Sequence, residues 1–237
     1  MPPTDAASAS IHRMFAAIAR PYDRMNHLLS LGIDRAWRRQ TVQLVPPTAN
    51  APILDVCTGT ADLALAYWRA GKGQIPIVGA DFCRPMLAIA RQKCRRAGAD
   101  GAVELVEADA RYLPFPDDQF QIVTVAFGLR NVRPFAAGLA EMVRVCRAGG
   151  RVAVLDFSMP RRWWLRGPYR FYFHRVLPRV GQLLARNPDH AYGYLPASVD
   201  EFPAGEAMAE QLRAAGLHSV AYYPFTCGIA TLYVGEK

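Results

Sequence analysis

Apolar positions recur along this chain with two periods. Between residues 11 and 40 the spacing is helical, with Ile11, Met14, Phe15 and Ile18 on one stripe. Arg20-Pro21 interrupts that stripe. Asn26 to Gly32 reads as a loop, and a second helix carries Trp37. Pro46-Pro47 marks a linker. From Pro52 onward, short β-branched runs alternate with helical stretches. Strands are predicted at 53–56, 75–80, 103–106, 122–127 and 152–157. Helices are predicted at 62–70, at 85–97 and from Phe135 through Cys146, the last stopped by Gly149-Gly150. The ending differs: a helix over 205–215, then strands at 219–223 and 229–234 with no helix between them.

Strand–helix alternation predicts βαβ units, hence an α/β fold with a mostly parallel sheet and helices on both faces. The final pair predicts a hairpin and so an antiparallel edge. Residues 1–50 read as an N-terminal helical cap on a domain spanning 51–237, with 158–200 inserted after the fifth strand. A doubly wound sheet of this kind takes ligands at the carboxyl ends of its strands.

Composition narrows the setting. The chain has 237 residues, 51% apolar and 20% charged, enough for a core without disulfide staples. No apolar run approaches the roughly 20 residues that span a bilayer. The N-terminus lacks the apolar core of a signal peptide, so a cytoplasmic protein is expected. The five cysteines are scattered, without Cys-x-x-Cys spacing, and no metal site is expected.

Charge changes the picture more. The formal net charge is +8, but 158–186 alone holds seven Arg and no acid. There Arg161-Arg162-Trp163-Trp164-Leu165-Arg166 leads into Tyr169-Arg170-Phe171-Tyr172-Phe173-His174-Arg175. Cations interleave with aromatics, as in interfacial amphipathic helices and in RNA-binding surfaces. Only Lys72, Lys93 and Lys237 are lysines, so an Arg-rich genome explains part of the bias.

Candidate chemistry sits at three strand ends. The first reads Asp55-Val56-Cys57-Thr58-Gly59-Thr60-Ala61-Asp62. Gly59 lets a ligand approach the backbone, and the following helix offers free N–H groups. One glycine is a weak signal by itself. Asp81, 22 positions after Gly59, closes the second strand, where an acid accepts ribose hydroxyls. Asp109-Ala110 follows the third strand. Each Asp alone could solvate a loop or cap a helix. In this order the three predict a nucleoside cofactor.

These blocks, with Arg147-Ala148-Gly149-Gly150, resemble class I S-adenosylmethionine methyltransferases. Three further blocks narrow the resemblance. They are Phe15-x-x-Ile18-Ala19-x-x-Tyr22-Asp23-x-Met25-Asn26-x-x-Leu29-Ser30-x-Gly32, Ala126-Phe127-Gly128-Leu129-Arg130-Asn131-Val132, and Tyr194-Leu195-x-x-Ser198. Together they look like the C-methyltransferases of menaquinone and ubiquinone biosynthesis, from about residue 11 to 237.

The resemblance implies a Rossmann-like, doubly wound, mostly parallel seven-stranded sheet with S-adenosyl-L-methionine as cofactor. It implies cofactor contacts at Asp55, Gly59, Thr60, Asp81, Asp109, Ala110, Ala126 and Phe127. It implies Arg130, Asn131 and Tyr22 as catalytic residues around a prenylated quinol, demethylmenaquinol or a 2-polyprenyl-6-methoxy-1,4-benzoquinol. Asp23 and His190 are further candidates for positioning or proton transfer. The basic aromatic segment is then a lid over the quinone and a dock on anionic membrane. A homodimer stays open, and nucleic acid is not expected as a partner.

The chain departs from the family at two points. Ala61 stands where much of the family has Gly, and is tolerable there if its φ is negative. Ala126 stands where Ser is frequent, so a hydroxyl contact to cofactor is lost. Cys57, Ala61 and the Tyr-Leu-Pro-Ala-Ser run at 194–198 resemble the menaquinone side. RNA modification and non-catalytic binding remain the readings from other classes.

Overall fold

The computed structural model describes residues 6–48, 51–160, 162–177, 179 and 191–237. Three helices come first: α1 Ala6–Ile18, α2 Tyr22–Leu29 and α3 Ile33–Leu44. β1 Ile53–Val56, α4 Asp62–Ala70, β2 Ile77–Asp81, α5 Arg84–Ala97 and β3 Val103–Glu107 follow. Then come β4 Phe120–Ala126, α6 Phe135–Val145, β5 Cys146–Phe157 and α7 Trp163–Phe171, which continues as a π-turn to Val176. α8 Ala191–Glu201, α9 Glu206–Ala214, β6 His218–Phe225 and β7 Ala230–Glu236 complete the chain.

The strands form one sheet in the order β3-β2-β1-β4-β5-β7-β6. β1 pairs in parallel with both β2 and β4, so the strand order reverses beside it. β7 runs antiparallel between β5 and β6, which makes the antiparallel edge the sequence predicts. Strand alternation divides the core. Leu54, Val56, Val123 and Val125 point to the face covered by α6 and α9. Ile53 and Ile122 point to the face covered by α3, α4 and α5. Trp37 and Val42 of α3 belong to that second core, so the third helix of the cap is part of the sheet's own packing.

Two expectations are corrected. Asn26 to Gly32 is not all loop: α2 runs through Leu29, because buried Met25 extends its apolar face. Only Ser30 to Gly32 turns, and Gly32 takes φ 75°. Gly149-Gly150 does not end a helix, because α6 stops at Val145. Cys146 already pairs with Phe120, and the register then jumps to Ile122 opposite Arg151. The glycines sit in that bulge. The Gly149 N–H donates to the Lys237 carbonyl at 2.7 Å, tying the bulge to the end of β7.

Candidate active site

The strand-order reversal opens a crevice at the carboxyl ends of β1, β2 and β4. The first loop folds tightly there. Gly59 takes φ 57° with open space where a Cβ would project. Gly128 after β4 approaches so closely that an added Cβ would lie 2.4 Å from the Cys57 Cβ. Ala61 has φ 67°, so the loop carries an alanine in the left-handed region. Its N–H closes the turn onto the Thr58 carbonyl at 2.9 Å, and its methyl is fully buried.

Gly59, Asp81, Asp109, Ala110, Ala126 and Phe127 all line one cavity with about 70 Å³ of free space. Asp81 accepts the N–H groups of Gly59 and Cys83, each at 2.8 Å. Burial pushes its carboxyl up to about 6. Asp109 is gripped by Arg111, whose Nη2 lies 2.7 Å away. Phe127 has φ 59°, which turns its carbonyl toward the 3₁₀ turn Leu129–Asn131.

Asp55 and Thr60 are placed differently, one remove from the cavity. Asp55 lies beneath the loop, accepts the Thr58 hydroxyl at 2.6 Å and the Ala64 N–H at 3.2 Å, and is pushed up to about 7 by burial. Thr60 donates to Asp23 at 2.5 Å. Lys93 of α5 holds Asp23 at 2.8 Å, Thr60 at 3.1 Å and also Asp62, so Asp23 ties α2 to the loop. His190 lies outside the described residues.

A second cavity, of about 380 Å³, adjoins the first. The cap supplies Met14, Tyr22 and Trp37; the insertion supplies Tyr169, Phe173 and Tyr194; Arg130 and Phe157 come from the sheet end. Phe127 and Phe157 pack with centroids 4.6 Å apart and their planes tilted by 35°. Phe15, Tyr22, Phe127 and Asn131 line both cavities, so they form the shared wall. Burial raises the Tyr22 hydroxyl above its ordinary value.

Arg130 is buried against this wall. Its Nη1 donates to the Phe127 carbonyl at 2.6 Å and to Asp156 at 2.7 Å. Burial holds Asp156 above the usual carboxylate range in spite of that cation. Three buried polar atoms of cavity-lining residues have no partner among the described residues: Arg130 Nε, Asn131 Oδ1 and Tyr194 Oη. Such atoms are costly unless something bonds them.

The sequence reading missed a cluster on the cap. Asp34 lines the second cavity and accepts the Ser30 hydroxyl at 2.7 Å. Arg38, one helical turn on, also donates to it, and His27 Nδ1 lies 2.9 Å away. A carboxylate three residues before Trp37, on the buried face of α3, is the one signal the sequence carried.

Comparison with known proteins agrees with this geometry. The model of the ubiE/COQ5 methyltransferase family matches residues 3–237. A demethylmenaquinone methyltransferase of Thermus thermophilus is 47% identical, covering 94% of this chain and all of that one. A ubiquinone/menaquinone biosynthesis C-methyltransferase UbiE of Geobacter sulfurreducens is 44% identical over 96% of this chain and 88% of its own. A SAM-dependent methyltransferase of Thermotoga maritima shares the fold, with a TM-score of 0.66 at 17% identity over 95% of this chain and 99% of that one. A matching family model over nearly the whole length, with relatives this similar, places the chain: it belongs to the ubiE/COQ5 methyltransferase family.

Proposed function

We propose that this protein transfers a methyl group from S-adenosylmethionine to a ring carbon of a reduced prenylated quinone, demethylmenaquinol foremost. The observation that carries the reading is the second cavity. It is large, aromatic and apolar, yet its lining includes Arg130, Asn131 and Tyr194, each with a buried polar atom that has no partner among the described residues. A flat ring with hydroxyls and a hydrocarbon tail meets both needs. The Phe127 and Phe157 rings, with Trp37 beside Phe127, offer aromatic surface to a fused bicyclic ring. A benzoquinol of ubiquinone biosynthesis is the second reading, favoured by the dual naming of the Geobacter relative.

The residues that line the first cavity suit the cofactor. Gly59 leaves the loop open to close approach, Asp81 offers a carboxylate to ribose hydroxyls, and Asp109-Ala110 faces the base. Ala126 and Phe127 close the wall behind it, while Asp55 and Thr60 hold the loop in shape. When bound, S-adenosylmethionine supplies an electrophilic methyl on a sulfonium. The chain's own task is alignment across the shared wall and activation of the ring carbon. Tyr22 and Asn131 position the ring, and Arg130 stabilises charge developing on a quinol oxygen. A guanidinium is too weak a base to remove the proton itself.

The exposed side of α7 deepens the reading. Trp163 is 85% exposed and Phe171 65%, among Arg162, Arg166 and Arg170, while Tyr169 of the same helix lines the quinol cavity. This helix docks the protein on the anionic inner face of the cytoplasmic membrane, where the tail resides. No helix among the described residues is long and apolar enough to cross a membrane. Co-sedimentation with anionic vesicles is expected to weaken with salt and with Trp163→Ala; salt-independent binding refutes the electrostatic part. The function itself is tested by incubation with labelled S-adenosylmethionine and each reduced quinone. A product heavier by one methylene on demethylmenaquinol is expected, and no product on either quinol refutes the proposal.

A further inference from the structure

The reaction proposed above has a charge balance the cavity must satisfy. A carbon–carbon bond forms at the ring carbon, and that carbon's hydrogen leaves as a proton while its electron pair returns to the ring. A sulfonium cation becomes a neutral thioether, so one proton must leave the site per turnover. The quinol cavity is walled mainly by apolar and aromatic side chains, and among the described residues that line it there is one carboxylate and no His, Lys or Cys. That carboxylate is Asp34. The lining tyrosines Tyr22, Tyr169 and Tyr172 are raised above their ordinary values by burial and stay protonated near neutral pH.

Asp34 is 3% exposed and faces the cavity from α3. Burial pushes its carboxyl up, but Ser30, Arg38 and His27 together hold it below the usual carboxylate range. It is therefore a base in its ionised form. Behind it stands His27 of α2, its Nδ1 2.9 Å from one Asp34 oxygen and 3.0 Å from the other. His27 is absent from the cavity lining, and its side chain is 21% exposed. Cavity, carboxylate, imidazole and solvent thus stand in sequence.

Resting on the quinol reading, we infer that Asp34 takes the proton from the methylated ring carbon and that His27, as the tautomer whose Nδ1 accepts from the protonated carboxyl while Nε2 releases its proton, passes it to solvent. Arg38 keeps the carboxylate oriented, and Ser30 fixes the oxygen opposite it. The demand on the base is modest. The carbon that has just received a methyl regains aromaticity when it gives up its proton.

The test uses the full chain with S-adenosylmethionine and reduced demethylmenaquinol bearing hydrogen or deuterium on the acceptor carbon. In Asp34→Asn, turnover should fall about 10²-fold, the lower end for loss of a general base, with KM nearly unchanged. Deuterium should then slow the variant at least about twofold while barely affecting the wild type, because removal of the ring proton has become limiting. Undiminished turnover, or a loss without a deuterium effect, overturns the inference. A wild-type protein that leaves the quinol unmethylated overturns the functional reading beneath it instead. Should Asp34→Asn fail to fold, His27→Gln decides: turnover should fall about tenfold and recover with added imidazole, whereas no fall or no recovery overturns the relay.

Discussion

The two cavities that meet at Tyr22 are made by opposite means. The cofactor side is built around the loops at the strand ends, with Asp81, Asp109, Arg111 and Arg133 as its charged groups and glycines where contact is closest. The quinol side is assembled from α1, α2, α3, the α7 region and α8, almost wholly from side chains. Backbone held by a sheet fixes distances. Side chains on packed helices supply shape and apolar area, and can change without disturbing the sheet. One half is thus suited to an invariant cofactor, the other to a substrate whose ring and tail vary.

The sharpest way to break this division is Arg130→Ala. It should lower turnover by more than about 10²-fold, the scale of losing one preorganised donor. Cofactor affinity, measured by calorimetry, should not change. The substitution orphans Asp156, and breaking a buried pair costs about 3–5 kcal/mol. The double variant Arg130→Ala with Asp156→Asn should regain thermal stability while staying slow. Recovery of turnover in that double variant would make Arg130 purely structural.

Asp81→Asn is the mirror experiment. A hydrogen bond to a charged group contributes about 1.5–3 kcal/mol, so cofactor affinity should drop about 10- to 100-fold with the quinol KM held. The pH dependence gives the sign. With its carboxyl near 6, Asp81 in the folded protein holds a proton that the unfolded chain has already lost. Ionising it costs stability as pH rises through that window. Ribose hydroxyls need the ionised form as acceptor, so cofactor affinity should fall as pH drops through about 6. Burial, with the Asp81 charge added to it, pushes Asp55 up to about 7, so Asp55 moves down in the variant and the difference between the two proteins reports both carboxyls.

The smallest expected effect lies at Ala61. A left-handed alanine costs roughly 1–2 kcal/mol, and glycine would remove that strain. It would also remove a buried methyl worth about 0.8 kcal/mol. Ala61→Gly should therefore move the melting midpoint by no more than about 5 °C, with activity retained. A destabilisation above about 1.5 kcal/mol would show that the loop carries no strain there.

This contrast also explains what the sequence made legible. The strand ends could be placed because strand, glycine, helix and acid follow at fixed local spacing. The same spacing could not separate Asp81, which faces the cavity, from Asp55, which faces the underside of the loop: alternation puts either on a strand end. The helix end before Gly149-Gly150 was misplaced because a β-bulge and a helix stop use the same residues. Asp34 and His27 were invisible for another reason. Their partnership spans a turn between two helices, and its meaning comes from cavity walls contributed by residues over a hundred positions away.

Lys93 is one of only three lysines in the chain, and it holds Asp23, Thr60 and Asp62 together. Asp23 is the neighbour of Tyr22 on α2, and Thr60 is the neighbour of Gly59. The cofactor loop cannot shift without pulling on the residue that borders the quinol. Occupancy of one cavity is thereby expected to bear on the affinity of the other, which binding measured with and without the first ligand would read. Such coupling is reciprocal: whatever factor the first ligand adds to the affinity of the second, the second returns to the first.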